Sequence, residues 1–88
     1  MTRTEISDFI LDLIGEKLAI FYISRGEVDD DFDLVKSGLL DSMSFIDLLA
    51  EIEEKFKLEI NYEQAVDNEA FTSFGGLIKL IMDTKNAG

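Results

Sequence analysis

Three stretches of this chain repeat apolar residues at the i, i+3, i+4, i+7 spacing of a helix face, and strand signals are absent. The first runs from Thr4 to about Ile23. Ile6, Phe9, Ile10, Leu13, Ile14, Leu18 and Phe21 form its stripe, Lys17 interrupts it, and Asp8, Asp12 and Glu16 lie largely opposite. The second runs from about Ser42 to Lys57, with Phe45, Leu48, Leu49, Ile52 and Phe56 inward and Asp47, Glu51, Glu53 and Glu54 outward. The third starts after Thr72 or Ser73, both good N-cap types, and buries Phe74, Leu77, Ile78 and Ile81. Between the last two, residues 58–62 read as a connector with an extended portion, and residues 63–65 and 67–71 as one helical turn each. The expected fold is all-α, a four-helix antiparallel bundle with a long loop between helices 1 and 2 and a short third helix. Residues 1–88 are expected to form one domain.

The long loop, Glu27 to Asp41, is acidic but contains Phe32, Leu34, Leu39 and Leu40. A structureless loop of that length is unusual in a compact domain, so these residues are expected to pin it across the helices, with room for a helical turn near Phe32–Lys36. Leu18 to Ile23 is apolar on most sides and is expected to be more fully buried, with Arg25-Gly26 as the stop. Gly75 and Gly76 would each cost roughly 1 kcal/mol relative to alanine inside a helix, and close packing on a neighbouring helix is one reason to tolerate them. Residues 86–88 are expected to fray.

Composition removes most kinds of chemistry. The chain has no histidine and no cysteine. No Ser-His or Cys-His pair can therefore exist, and there is neither a disulfide framework nor a thiolate metal site. Carboxylates remain, mostly on faces expected to be solvated, which argues against an autonomous enzyme. The net charge of −11 repels phosphate backbones and anionic membranes, so nucleic-acid binding is not expected, and it favours basic patches on protein partners. No apolar run approaches the roughly 18 residues of a membrane span, so no membrane insertion is expected. The N-terminus lacks the shape of a signal peptide, and the expected setting is the cytoplasm, as a monomer. Asp29, Asp31 and Asp33 mimic the start of a calcium-binding loop, but Leu34 replaces the glycine at its sixth position and Leu40 the glutamate at its twelfth. That leaves at most a weak, nonspecific cation site, and no metal is assigned.

Asp41-Ser42 stands where loop becomes helix. Either residue caps a helix well. A capping box fails, because Ser44 and Phe45 stand where glutamate or glutamine is needed. If Asp41 is the cap, Ser42 occupies the first helical position with its hydroxyl free. A phosphate attached there would lie at the positive end of the helix dipole, near unpaired N–H groups.

The run Asp33-Leu34-Val35-Lys36-Ser37-Gly38-Leu39-Leu40-Asp41-Ser42-Met43-Ser44, followed by Ile46, Leu48, Leu49, Ile52 and Glu53-Glu54-Lys55-Phe56, resembles the phosphopantetheine-dependent carrier proteins. Val66 to Ile78, with its Phe71-Thr72 pair, resembles the family's short third helix and the start of its fourth. The resemblance covers about Phe32 to Met82. It implies that Ser42 carries 4′-phosphopantetheine as a phosphodiester, installed from coenzyme A by a phosphopantetheinyl transferase with magnesium, and that Asp41 positions the serine. It implies a thiol that holds an acyl or aminoacyl thioester, loaded by an adenylating or acyl-loading ligase and passed to a downstream acyl transferase or synthase. It also implies a docking face of Met43, Ile46, Asp47, Ala50, Glu53 and Glu54; without the serine motif, those carboxylates read as a solvated face. Fatty-acid-synthesis carriers usually show Gly-Ala-Asp-Ser-Leu and then an acid. Gly38-Leu39-Leu40-Asp41-Ser42-Met43 followed by Ser44 looks closer to stand-alone carriers loaded by adenylating enzymes, including D-alanyl carrier proteins.

A rival from another class is an acidic helical adaptor that binds a basic or amphipathic partner and carries no prosthetic group. It shares the charge and the exposed apolar edge, and it needs nothing from Ser42.

Overall fold

The computed structural model describes residues 2–87. Its helices are α1 (Arg3–Leu13), α2 (Gly15–Ile20), α3 (Ser42–Phe56), α4 (Tyr62–Asp67) and α5 (Phe74–Ala87), with single 3-10 turns at Arg25–Glu27 and Glu69–Phe71. Ile6, Ile10, Ile14 and Leu18 form the buried ridge of α1 and α2 and meet Phe45, Leu49 and Ile52 of α3 and Leu77, Ile78 and Ile81 of α5 in one core. Helix direction follows from contacts at both ends. Phe9 packs edge-on against Phe56 with ring centroids 5.6 Å apart, while Lys17 reaches Ser44 at the opposite end of α3. The α1–α2 arm is therefore antiparallel to α3. Lys85 of α5 donates to the Phe56 carbonyl, which places the end of α5 beside the end of α3.

The expected single first helix is broken. Ile14 departs from helical geometry, with ψ at 3°, and separates α1 from α2 just before Gly15, whose backbone gains little from staying helical. The expected burial of Leu18 to Ile23 is also overturned. Only Leu18 is buried; Ile20 is 71% exposed and Tyr22 95%. Lys17 already lies level with the first turn of α3, so the residues after it overhang the start of that helix and have little to pack against. The stop is also earlier than Arg25-Gly26. Tyr22 takes the left-handed conformation (φ 58°) and the Ile23 amide bonds back to the Leu18 carbonyl. Arg25–Glu27 is instead a 3-10 turn closed by a Ser24–Glu27 capping box.

The long loop is pinned as expected. Leu34, Leu39 and Leu40 are buried, Phe32 is half-buried, and Val28, which the periodicity did not single out, joins the core. One helical turn closes where the Ser37 amide reaches the Asp33 carbonyl. Asp33 is occupied structurally, and among the described residues no three acidic side chains are gathered to hold a metal ion. The two short turns expected after the connector are α4, a longer helix than expected, and the 3-10 turn at Glu69–Phe71. α5 persists through Ala87 where fraying was expected; Gly88 lies outside the described residues.

Gly75 and Gly76 do not serve helix–helix packing. A Cβ on Gly75 would stand 2.6 Å from the Asp30 Cβ, in the long loop, and one on Gly76 would stand 1.6 Å from the Ala70 carbonyl oxygen, in the preceding 3-10 turn. By contrast, a Cβ on Gly15 meets open space. Gly76→Ala should therefore destabilise by about 1–3 kcal/mol through overpacking against backbone, while Gly15→Ala should stabilise by about 0.5–1 kcal/mol. Urea denaturation of the two variants checks both signs.

Candidate functional site

The loop before Ser42 is built to hold that residue still. The Leu34 amide donates to the Thr72 carbonyl and the Phe74 amide to the Phe32 carbonyl, each at 2.8 Å, forming an isolated antiparallel bridge between Asp33 and Ser73. The buried Thr72 hydroxyl donates to Asp33 Oδ2 (2.8 Å) and to the Glu69 carbonyl (3.0 Å). The other Asp33 oxygen accepts from the Val35 and Lys36 amides. Burial opposes the charge on Asp33, but the hydrogen bonds from Lys36, Thr72 and Val35 outweigh it and hold the carboxyl below its ordinary range. The helical turn that Asp33 caps ends at Gly38, whose φ of 86° is costly for any residue with a side chain. Leu39 and Leu40 then enter the core, and the Leu40 amide bonds back to the Leu34 carbonyl at 2.9 Å.

Ser42 follows directly. Asp41 is the N-cap of α3 and accepts from the Ser44 amide at 2.8 Å. That bond, then one with the Ser44 hydroxyl, holds the Asp41 carboxyl below its ordinary range, with a smaller contribution from the Lys17 charge. Ser42 occupies the first helical position, exposed. Among the described residues its hydroxyl has no hydrogen-bond partner, and the Ser42 and Met43 amides have no acceptor. An exposed hydroxyl, two free N–H groups and the positive end of a 15-residue helix suit a phosphodiester at this position.

The expected docking residues divide. Met43, Asp47, Ala50 and Glu54 share one exposed stripe of α3, and Ile46 is half-buried at its edge. Glu53 has another role. One of its oxygens accepts from the Ile60 amide at 2.8 Å and the other from the Tyr62 hydroxyl, tying α3 to the start of α4. The Tyr62 hydroxyl is held above its ordinary range by that bond to Glu53, then by burial. Periodicity places Glu53 outward, and no local signal shows that α4 covers it.

Sequence reasoning also missed Lys17. It is half-buried and donates to Ser44 Oγ at 3.2 Å, beside the Asp41 cap. The available signal was a charged residue at a stripe position, which reads locally as an interruption.

The sequence profile of the phosphopantetheine attachment site family matches residues 8–81. The chain belongs to that family. It is a carrier protein bearing covalently attached 4′-phosphopantetheine. It is 37% identical over 57 residues to a D-alanyl carrier protein of Leuconostoc citreum, covering 65% of this chain and 63% of that protein's length. It is 34% identical over 75 residues to an acyl carrier protein of Helicobacter pylori, covering 85% of this chain and 88% of that one. No solved structure matches it significantly. Among the described residues, no helix is long and apolar enough to cross a membrane.

Thr72→Val should cost about 1–2 kcal/mol at neutral pH, because it removes a donor from a partly buried carboxylate. The Asp33 carboxyl sits below its ordinary value of 3.8, so its stabilisation is present above that pH and is lost as pH falls through the lowered folded value. The gap between variant and wild type should therefore close in acid, as read from urea midpoints between pH 2 and 7.

Proposed function

We propose that Ser42 is the attachment point and that the carrier takes an aminoacyl or acyl group from an adenylating ligase. The exposed, unpartnered Ser42 hydroxyl at the start of α3 carries this reading. In the transfer from coenzyme A, the serine oxygen forms a new P–O bond. The pyrophosphate bond of coenzyme A breaks, the bisphosphorylated adenosine leaves, and the serine proton passes to a base of the transferase or to water. Asp41 keeps the first turn closed and leaves the Ser42 oxygen clear for attack. The arm supplies a terminal thiol for the thioester. The chain itself supplies a rigid anchor, is a substrate of its partners and is not a catalyst. Tethering raises the cargo's effective concentration at each docked active site. Gly38-Leu39-Leu40-Asp41-Ser42-Met43 and the likeness to a D-alanyl carrier protein favour an adenylating loader over a fatty-acid-synthesis role.

Docking falls to Met43, Ile46, Asp47, Ala50 and Glu54, whose exposed apolar and acidic atoms suit basic patches on the transferase, the ligase and a downstream acyl transferase or synthase. Glu53 is left out because its oxygens are committed to Ile60 and Tyr62.

Intact mass after incubation with coenzyme A, magnesium and a broad-specificity phosphopantetheinyl transferase should rise by one phosphopantetheine in wild type and not in Ser42→Ala. An unmodified, folded wild type with two different transferases would instead favour the adaptor reading. Reversing Asp47 and Glu54 to lysine should slow modification roughly tenfold at low ionic strength, with the gap narrowing as salt is added. Equal rates at low salt would remove this stripe as the docking face.

A further inference from the structure

The α1–α2 arm and α3 do not close completely on each other beside Ser42. A groove of about 280 Å³ lies between them. Leu40 and Ser44, two residues before and two after Ser42, line its near end, so it opens beside the anchor. Leu13, Ile14 and Leu48 give it an apolar floor, and Leu13 is 40% exposed. Lys17 is the only cation among the residues lining it, and its ammonium sits at the anchor end, on Ser44 Oγ. Asp47 and Glu51 form the far rim, where an anion is repelled. The groove therefore has a direction: positive beside Ser42, apolar along its floor and acidic at its far end.

That order matches one occupant. The geometry points to this groove as the resting site of the chain's own phosphopantetheine arm, with Lys17 as the positioning residue for the phosphodiester. The inference rests on Ser42 as the attachment point. The charge belongs beside Lys17, and the pantetheine methyl and methylene groups cover Leu13 and Leu48. Nine residues of helix separate Ser42 from Glu51, about 13 Å of rise, which an extended arm can span. Covalent attachment supplies an effective concentration in the millimolar range, so a weak contact suffices to populate the docked arm. Docking holds the thiol against the carrier between transfers, and a partner that binds the α3 stripe draws the arm out.

The test uses protein whose modification at Ser42 has been verified by intact mass and compares it with the apo form. In the holo protein, nuclear Overhauser contacts should join arm protons to the methyls of Leu13 and Leu48. The holo form should melt roughly 4 °C above the apo form. Lys17→Gln should abolish that difference and shift the phosphorus resonance, Lys17→Arg should restore both, and Lys79→Gln on α5 should leave both unchanged. Holo protein with equal melting temperatures and shifts confined to the first turn of α3 would overturn the groove alone. Leu13 and Leu48 shifts that appear only when the transferase is added would reassign the groove to the partner and likewise overturn it. Absence of modification at Ser42 would overturn the attachment reading as well, and mass distinguishes that case.

Discussion

The clamp between Asp33 and Thr72 is the constraint on which the rest of the structure depends. The stretch between α2 and α3 is acidic and has little regular structure, and its own sequence cannot hold it compact. Thr72 meets Asp33 by side chain, and backbone bonds on either side join Leu34 to Thr72 and Phe32 to Phe74. The loop becomes a short strand-like seam against the start of α5. Gly75 and Gly76 let that start approach the loop and the preceding turn, where any larger residue would collide with backbone or with Asp30. The radius of gyration, 12.0 Å, equals the ~12 Å expected of a compact chain this long, which leaves no room for a loose excursion.

From that seam the geometry passes to the serine in steps. Asp33 caps one turn, Gly38 reverses the chain, Leu39 and Leu40 anchor it in the core, and Asp41 caps α3. Each step fixes the next, so Ser42 emerges with a defined direction although the residue itself is fully outside. The attachment proposed at Ser42 needs this combination. The anchor must be rigid so that a docked enzyme finds the arm in one place, and exposed so that the arm can leave. The protein needs no reactive groups of its own, because the thiol arrives with the cofactor. An inventory without histidine or cysteine suits such a division of labour.

The surroundings of Ser42 are not uniformly acidic. The exposed stripe of α3 carries Asp47 and Glu54, the carboxylates proposed to meet partners, while Lys17 brings one cation to Ser44 in the first turn of the same helix. The first arrangement acts at long range and is screened by salt; the second acts at hydrogen-bond range in a half-buried setting, where screening is weaker. The overhanging Ile20 and Tyr22 add exposed apolar surface at this end of the bundle.

Helix periodicity determined the all-α class and the buried faces of α3 and α5, because these depend on which side of a helix is apolar, and the apolar residues Leu34, Leu39 and Leu40 in a loop too long to stay structureless foretold its pinning. The motif around Ser42 was legible for a similar reason: a cap, a glycine and a leucine pair are local in sequence. Only the tertiary structure decided the role of Glu53, the reach of Lys17 to Ser44, the exposure of Ile20 to Tyr22, and the partners of Gly75 and Gly76. Each depends on what another segment places beside it, and a side chain's spacing along its own helix carries no record of where the neighbouring element ends.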